Sequence, residues 1–266
     1  MKIFKQCYNY PMKCLTPELI KAIKFAGSIA LTAQKHLTTE TKKDGSIVTN
    51  GDLLVSSFLE KKLKELCPDY DVFSEENCTV IPKSNKVLVI DPIDGTESYS
   101  RKQDTWSILV GEMIDGKWTG GVVFQPTSEH LFFTYEQMGS NRAYFEHKKS
   151  VQEISAKGSG ELSGYMSHKN YGEDVFFKKL GVTKVDHMFS AALKIMKVAE
   201  GTTDLYPNFR GACSLWDLVA PVAILEAAGG QMFYESPSIP SFENPRIPVN
   251  FCAVGQRVTT NPFKGE

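Results

Sequence analysis

Two aspartates stand three residues apart in the hexapeptide DPIDGT, which occupies residues 91–96. Asp91 follows the short apolar run VLVI, so its carboxylate is expected at the end of a buried strand. Burying a carboxylate costs several kcal/mol unless a cation or donor compensates. Gly95 lets the backbone approach a ligand, and Thr96 adds a hydroxyl where a helix or turn should begin. With the Ile93 carbonyl between the acids, the hexapeptide indicates a site for a hard divalent metal and a phosphate.

A turn is the alternative interpretation of this hexapeptide. Asp-Pro and Asp-Gly pairs are common in turns, and the dipeptide at residues 91–92 alone predicts nothing more. The complete hexapeptide placed directly after an apolar strand is much more specific. It therefore favours the metal and phosphate site.

Three further acidic features could contribute to the same site. Glu75 and Glu76 are adjacent, and such pairs usually lie on a solvated surface. Asp217 follows Trp216 at the start of an apolar helix, and Asp52 also lies near a helix start, where capping is the ordinary role of Asp. Each acidic feature alone predicts little, and it is their joint presence that indicates a common site.

The composition is that of an ordinary globular protein. The chain has 266 residues, 42% apolar and 23% charged, which suffices for one large domain or two small ones. Its net charge of −1 argues against a nucleic-acid polymer or an anionic membrane as partner, because both require a concentrated basic surface. A small charged ligand remains compatible with this charge.

The cysteines and the N-terminus indicate a reducing compartment. No pair among the six cysteines has the two-residue spacing of a zinc site or redox motif. No apolar run is long enough to span a bilayer, and residues 1–13 lack the apolar core of a signal peptide. We therefore expect a cytoplasmic protein whose reduced thiols pack in the core or lie idle at the surface.

Periodicity and capping signals place the motifs on secondary-structure elements. In the first half we expect helices from Thr16-Pro17-Glu18 to residue 33 and over residues 51–66, with Leu54, Val55, Phe58, Leu59 and Leu63 facing inward. Strands are expected at residues 87–90, 106–113, 118–124 and 131–135, with a hairpin turn at Asp115-Gly116. The stretch 152–164 is the best candidate for a domain junction. In the second half we expect helices at 173–180, 190–200 and 215–228, and strands at 203–206, 231–234 and 250–254.

The acidic motifs occur in the order and spacing of a known family. Residues 74–76 read SEE, residues 91–96 read DPIDGT, and residues 216–230 run from Trp-Asp through Ala-Pro to Ala-Gly-Gly. The segment 42–52 matches as well. The chain therefore resembles the inositol-monophosphatase-like phosphatases over roughly residues 16–255.

The resemblance implies roles for individual residues. The metal ligands would be Glu75, Asp91, the Ile93 carbonyl, Asp94 and Asp217. The catalytic residues beside them would be Asp52 and Thr96, which orient and activate the attacking water, and Glu76 behind the ligands. The substrate-binding residues would be Gly95 and Thr96, through their N–H groups, with Ser167, Ser190, Lys194 and Asp217.

The same resemblance implies a cofactor, a fold and partners. Two or three Mg2+ ions would be bound, which agrees with the rule that clustered carboxylates repel one another unless cations lie among them. The fold would be a layered α-β-α-β-α sandwich of the α/β class, with an α+β half at residues 1–155 and an α/β half at 156–266. The substrate would be a small phosphorylated nucleotide or sugar. The resemblance also implies inhibition by Li+ and often a homodimer.

The segment 193–207 narrows the choice within the family. It carries Leu193-Lys194, then Ala-Glu-Gly and Asp-Leu-Tyr-Pro, and looks most like the 3′(2′),5′-bisphosphate nucleotidases. Residues 167–168 are Ser-His instead of that group's Ser-Arg, and residues 97–99 depart from its Lys-Glu-Phe. We therefore predict hydrolysis of 3′-phosphoadenosine 5′-phosphate, with inositol 1-phosphate or another sugar phosphate as the alternative. Lys194 would pair with the second phosphate, unless it is a surface lysine of its helix.

Two non-enzymatic functions were weighed against this prediction. An inactive relative that binds a phosphate compound would be marked by a lost metal ligand, and none is missing from the sequence. A structural or interaction protein would be expected to show a long exposed apolar patch, which the sequence does not indicate. The complete set of site residues favours the enzyme.

Overall fold

A computed structural model describes seven stretches of the chain: residues 16–42, 45–137, 139–167, 172–209, 213–237, 241–247 and 250–264, without the side chains of Gln137, Cys213 and Ile247. The helices are α1 (Pro17–Ala33), α2 (Asn50–Leu66), α3 (Thr96–Ser100), α4 (Glu173–Lys179), α5 (Ala191–Ala199) and α6 (Leu215–Ala227), with short 3-10 turns at Gln34–His36 and Glu75–Asn77. No helix in these stretches combines the length and apolar character needed to cross a membrane.

Seven strands of the first half form one sheet in the order β3-β4-β5-β6-β7-β8-β9. Its strands are β3 (Asp71–Ser74), β4 (Lys86–Asp94), β5 (Ser107–Ile114), β6 (Lys117–Gln125), β7 (His130–Gln137), β8 (Ser140–His147) and β9 (Ser150–Glu153). Only β3 and β4 pair in parallel, and every other neighbour is antiparallel. The short strands β1 (Thr39–Thr41) and β2 (Ile47–Thr49) form a separate hairpin before α2.

A second, mixed sheet is built from the second half in the order β11-β10-β12-β16-β14. Its strands are β10 (Ser163–Met166), β11 (Lys184–His187), β12 (Leu205–Asn208), β14 (Gln231–Tyr234) and β16 (Phe251–Val254). A two-residue pair, β13 (Cys213–Ser214) and β15 (Arg246–Ile247), lies at the start of α6.

Alternating side chains divide the protein into five layers. On β4, Leu88 and Ile90 pack with α1 and α2, whereas Leu109 and Val123 on β5 and β6 pack with α5 and α6. On β16, Phe251 and Ala253 face α5 and α6, and Cys252 and Val254 pack with Phe177 of α4. The order is therefore α1/α2, first sheet, α5/α6, second sheet, α4. This confirms the expected α-β-α-β-α sandwich with an α+β first half and an α/β second half.

The helix starts agree with the sequence signals. The hydroxyl oxygen of Thr16 accepts a hydrogen bond from the N–H of Leu19 at 3.2 Å, with Pro17 in the first turn. The turn between β5 and β6 has both Asp115 and Gly116 at positive φ, 52° and 73°, as a two-residue hairpin requires. The chain passes from the first sheet to the second between residues 153 and 163, whereas the proposed division into two domains stays a prediction.

Several sequence expectations require correction. Strands β8 and β9 were not predicted, because most of their residues are polar or charged and give little apolar alternation. Leu54 is 51% exposed, because the inward stripe of α2 runs through Val55, Leu59 and Leu63. Reduced thiols are found at Cys78 and Cys252, but Cys67 is disulfide-bonded, with a partner outside the described side chains. A nearby cysteine in space leaves no trace in sequence spacing.

Two paired glycines let α6 lie directly on the first sheet. Gly111 on β5 pairs with Gly121 on β6, and both face α6. A Cβ at Gly111 would lie 2.8 Å from the backbone nitrogen of Ala220, and one at Gly121 would lie 2.7 Å from the Ala220 Cα. Because these are backbone atoms, no side-chain rotation can relieve the overlap. The glycines therefore set how closely α6 approaches the sheet.

Gly121→Ala is expected to lower the free energy of unfolding by about 1–3 kcal/mol, because the added methyl group overpacks the contact with α6. Urea unfolding followed by circular dichroism measures this change. Lys117→Ala, at the exposed end of the same strand, is the control and should change stability by less than about 0.5 kcal/mol. Equal effects of the two substitutions would contradict the close approach.

Candidate active site

An irregularity in β4 brings Asp91 and Asp94 toward the same side of the sheet. Residues three apart in a regular strand point to opposite faces. Here Asp91 pairs with Leu109 and Asp94 with Ser107, so the register shifts between the two aspartates. Both carboxylates are buried, 1% and 5% exposed.

Helix α6 supplies a third carboxylate to this place. Asp217 is the third residue of the helix, and its Oδ2 accepts the backbone N–H of Ser214 at 2.7 Å in a capping box. One ligand oxygen from each of Asp91, Asp94 and Asp217 can be chosen so that all lie within 4.8 Å of one another. These three oxygens come from two elements that are more than a hundred residues apart in the chain.

Protein donors hold one oxygen of each of these acids. Asp91 Oδ1 accepts the N–H of Ile93 at 3.0 Å, whereas Asp91 Oδ2 is buried and has no hydrogen-bond donor among the described residues. Asp94 Oδ2 accepts the Ser190 hydroxyl and the N–H of Ala192, the latter at 3.1 Å. A buried carboxylate oxygen without a donor, beside two more carboxylates, fits a hard cation.

The pKa values reflect the crowding of negative charge. Burial, together with Glu75, Asp217 and Asp94, raises the pKa of Asp91 well above its usual range. Burial and the charge of Asp94 raise the pKa of Asp217 to about 7. Burial also raises the pKa of Asp94, and the donors Ser190 and Ala192 limit that rise. These carboxylates therefore hold protons tightly unless another cation replaces them.

Glu75 and Glu76 extend the acidic group, and a lysine bridges them. They begin the 3-10 turn after β3, and their side chains are only 16% and 10% exposed, so the surface interpretation does not apply. Lys42 Nζ lies 2.9 Å from Glu75 Oε1 and 2.8 Å from Glu76 Oε1. Burial works against the ammonium form, but the two carboxylates raise the pKa of Lys42 above its usual range. Burial also raises the pKa of Glu75, although the positive charge of Lys42 opposes this rise.

Sequence reasoning gave Lys42 no role, although it noted the surrounding segment. Nothing local indicates the contact, because 33 residues separate Lys42 from Glu75. The interaction requires the end of β1 to lie beside the acidic pair.

Asp52 and Thr96 lie beside the hexapeptide carbonyl. Asp52 Oδ2 accepts the N–H of Thr49 at 2.8 Å as part of the capping box of α2. Thr96 Oγ1 lies 3.0 Å from the Ile93 oxygen and 3.5 Å from Asp52 Oδ1. Burial raises the pKa of Asp52 to about 7, and the negative charges of Glu75 and Glu76 contribute to the rise. Asp52 can therefore accept or release a proton near neutral pH.

Gly95 is required by the backbone at the start of α3. Its φ of 90° is unfavourable for other residues, and a Cβ there would lie 2.9 Å from the Thr105 oxygen and 3.5 Å from Ser190 Cβ. The hexapeptide thus passes close to the N-terminus of α5.

The remaining sequence candidates lie in different surroundings. Lys194 is buried, 2% exposed, with Nζ donating to the Met188 oxygen at 3.0 Å and lying 4.5 Å from the centre of the Tyr206 ring. It is therefore not a surface lysine, and its charge acts on Asp94. Ser167 follows β10, and its hydroxyl makes no hydrogen bond to the site acids within the described stretches; His168 lies outside them.

The arrangement combines a cation site with a proton acceptor. Two buried carboxylates, the partly buried Asp217, two further glutamates and a backbone carbonyl can hold divalent metal, and Asp52 with Thr96 can orient a water at its edge. Chemistry at this site does not need a cysteine or histidine nucleophile.

Comparison with known proteins finds a matching family and similar chains. A family model described as the inositol monophosphatase family matches residues 12–251. The 3′(2′),5′-bisphosphate nucleotidase CysQ of Aggregatibacter actinomycetemcomitans is 31% identical over 211 residues, covering 75% of this chain and 76% of its own. CysQ of Escherichia coli K12 is 28% identical over 204 residues, covering 74% and 80%.

Solved structures share the fold. An inositol monophosphatase from Thermotoga maritima superposes with a TM-score of 0.72 at 22% identity, covering 88% of this chain and 89% of that one. A structure titled IMPase/NADP phosphatase complexed with Mg2+ and phosphate has a TM-score of 0.71 at 18% identity, covering 90% and 89%.

The raised pKa values of the acids predict how pH affects the cation-free protein. The pKa values of Asp52 and Asp217 rise from 3.8 to about 7, so the folded chain binds more protons than the unfolded chain between these values. Their contribution to stability is therefore present at low pH and lost as pH rises through 7. In EDTA, Tm should fall by about 5 °C or more between pH 6 and pH 8.

Differential scanning fluorimetry measures this shift, and saturating Mg2+ should raise Tm more at pH 8 than at pH 6. Asp217→Asn should flatten the pH dependence, whereas Asp186→Asn, at an exposed strand position, should leave it unchanged. A Tm that rises toward pH 8 in EDTA would contradict the crowding of these carboxylates.

Proposed function

The chain belongs to the inositol monophosphatase family of phosphoric monoester hydrolases, and on this premise we propose that it hydrolyses the 3′ phosphate of 3′-phosphoadenosine 5′-phosphate to give AMP and phosphate. The observation that carries the proposal is the group of Asp91, Asp94 and Asp217, in which the buried Asp91 Oδ2 has no donor among the described residues. The choice of substrate is supported by relatives at 28–31% identity that carry the nucleotidase name.

Mg2+ is the proposed cation, as two or three ions. Glu75, Asp91, Asp94, Asp217 and the Ile93 carbonyl offer the oxygen ligands that Mg2+ prefers, and a related structure is titled as a complex with Mg2+ and phosphate. When bound, Mg2+ lowers the pKa of a coordinated water and stabilises negative charge on phosphate oxygens. Lys42 bridges Glu75 and Glu76, so these two acids have a basic partner besides any cation.

The residues around the cation site would position and activate the water. Thr96 Oγ1, between the Ile93 oxygen and Asp52 Oδ1, can donate to either and accept from a water. Asp52 Oδ1 is then the nearest acceptor for the proton that the water loses. Glu76 would act behind the ligands by keeping Lys42 and Glu75 in place. The N–H groups of Gly95 and Thr96 would hold the phosphate at the start of α3.

Specificity for a second phosphate depends on where Lys194 points. The buried ammonium of Lys194 donates to the Met188 oxygen and packs on Tyr206, so its influence on substrates would pass through Asp94. This removes the cation that the sequence offered for distinguishing a bisphosphate. Inositol 1-phosphate is therefore the alternative substrate to be measured alongside.

Loss of the cation or of one ligand charge should abolish turnover. Excess EDTA should remove activity, and Mg2+ should restore it. Asp94→Asn should lower kcat by on the order of 10³, because a charge that stabilises the transition state is lost. The fold should persist, since the amide oxygen can still accept from Ser190 and Ala192.

Phosphate release with circular dichroism of the same samples measures both effects. Asp186→Asn makes the same charge change at an exposed position and should retain full activity. Undiminished turnover in EDTA, or an Asp94→Asn enzyme at wild-type kcat, would place the active site elsewhere.

The substrate assignment predicts a ranking of kcat/KM. Hydrolysis of 3′-phosphoadenosine 5′-phosphate should exceed that of inositol 1-phosphate by about tenfold or more, because the relatives at 28–31% identity carry the nucleotidase name. A tenfold ratio corresponds to about 1.4 kcal/mol. Identifying the products as AMP and phosphate by chromatography checks the position of cleavage. A preference for inositol 1-phosphate would overturn the substrate and leave the phosphatase activity standing.

A further inference from the structure

The N-terminus of α5 donates hydrogen bonds to one oxygen of Asp94. The Ser190 hydroxyl donates to Asp94 Oδ2, and the N–H of Ala192 donates to the same oxygen at 3.1 Å. Ser107 Oγ approaches it to 3.4 Å from β5. These three contacts all end on Oδ2, so Oδ1 is the oxygen that a cation would bind.

Ser190 uses its hydroxyl entirely within the protein. The residue is fully buried, its single hydroxyl proton is directed at Asp94, and its oxygen accepts the N–H of Leu193 at 3.0 Å as the N-cap of α5. A buried hydroxyl engaged in this way has no donor to offer a substrate. The sequence-based assignment of Ser190 to substrate binding therefore does not match its contacts.

Asp94 needs an anchor because its neighbours repel it. Asp91 and Asp217 place ligand oxygens within 4.8 Å of the chosen oxygen of Asp94, and like charges at this distance favour rotation of one carboxylate away from the others. The donors on Oδ2 oppose that rotation, because turning the carboxylate would leave a buried hydroxyl and a buried N–H without an acceptor.

From these contacts we infer that Ser190 is a positioning residue: by holding Asp94 Oδ2 it orients Asp94 Oδ1 toward the cation and so sets the metal affinity of the Asp91–Asp94–Asp217 group. The inference rests on the proposed function only in taking Mg2+ as the cation. It makes α5 part of the metal site without any direct contact between Ser190 and metal or substrate.

Three substitutions at Ser190 separate this role from helix capping. Ser190→Ala removes both the donor and the cap, Ser190→Gly removes the donor but keeps most of the capping, and Ser190→Thr keeps both. Thr16→Ala removes the equivalent cap of α1, which lies outside the site, and is the matched control.

Calorimetric titration of each purified protein with MgCl2, without substrate, measures the affinity directly. Ser190→Ala and Ser190→Gly should raise the Mg2+ Kd by about tenfold to a hundredfold, the usual effect of losing a hydrogen bond behind a metal ligand. Ser190→Thr should stay within about threefold of wild type, and Thr16→Ala should be unchanged. At saturating Mg2+, KM for the substrate should be the same in all active variants.

An unchanged Mg2+ Kd in Ser190→Gly, with a raised substrate KM, would overturn the inference and return Ser190 to substrate binding. If Ser190→Ala does not fold, comparing the Mg2+ Kd of Ser190→Gly with that of Ser190→Thr still tests the inference. A wild type that binds Mg2+ but hydrolyses neither substrate would refute the proposed function. The Mg2+ Kd values of the Ser190 variants could still be compared in that case. A wild type that binds no Mg2+ would overturn both.

Discussion

Mutual repulsion among buried carboxylates is the constraint on which this structure depends. The buried Asp91 and Asp94 lie beside the partly buried Asp217, with Asp52, Glu75 and Glu76 around them. Such a group is stable only if donors and cations compensate for the lost hydration. The protein supplies the donors, to one oxygen of each of the three central acids. The other oxygens are left to a cation, and in the cation-free protein burial and the neighbouring charges raise the pKa values of these acids.

Three helix N-termini supply most of this compensation. Asp52 and Asp217 are each the third residue of a helix that begins with a capping box, α2 and α6, and Asp94 lies against the first turn of α5. The partial positive charge and the orphan N–H groups of a helix start favour an anion. The same local rule that makes Asp an ordinary helix-capping residue therefore builds the active site, when three such starts are aimed at one place.

Tight packing of α6 fixes where these helix starts meet. The helix is buried on nearly all sides between the two sheets, and Gly111 and Gly121 let its backbone approach the first sheet. Asp217 is carried on its first turn, so the distance from Asp217 to the acids of β4 is set by this contact. The cation affinity of the site and the stability of the central layer thus depend on the same interface.

The sequence by itself determined the acidic motifs and the capped helix starts, because these are local patterns with local physical causes. The family and its layered fold followed from the resemblance that the motifs carry. It could not show that Glu75 and Glu76 are covered, that Lys42 bridges them, that Lys194 is buried or that Ser190 holds Asp94. Each of these depends on segments 33 to 96 residues apart coming together, or on which face of a helix its neighbours cover. Burial and partner choice are properties of the packed chain, and only the tertiary structure decided them.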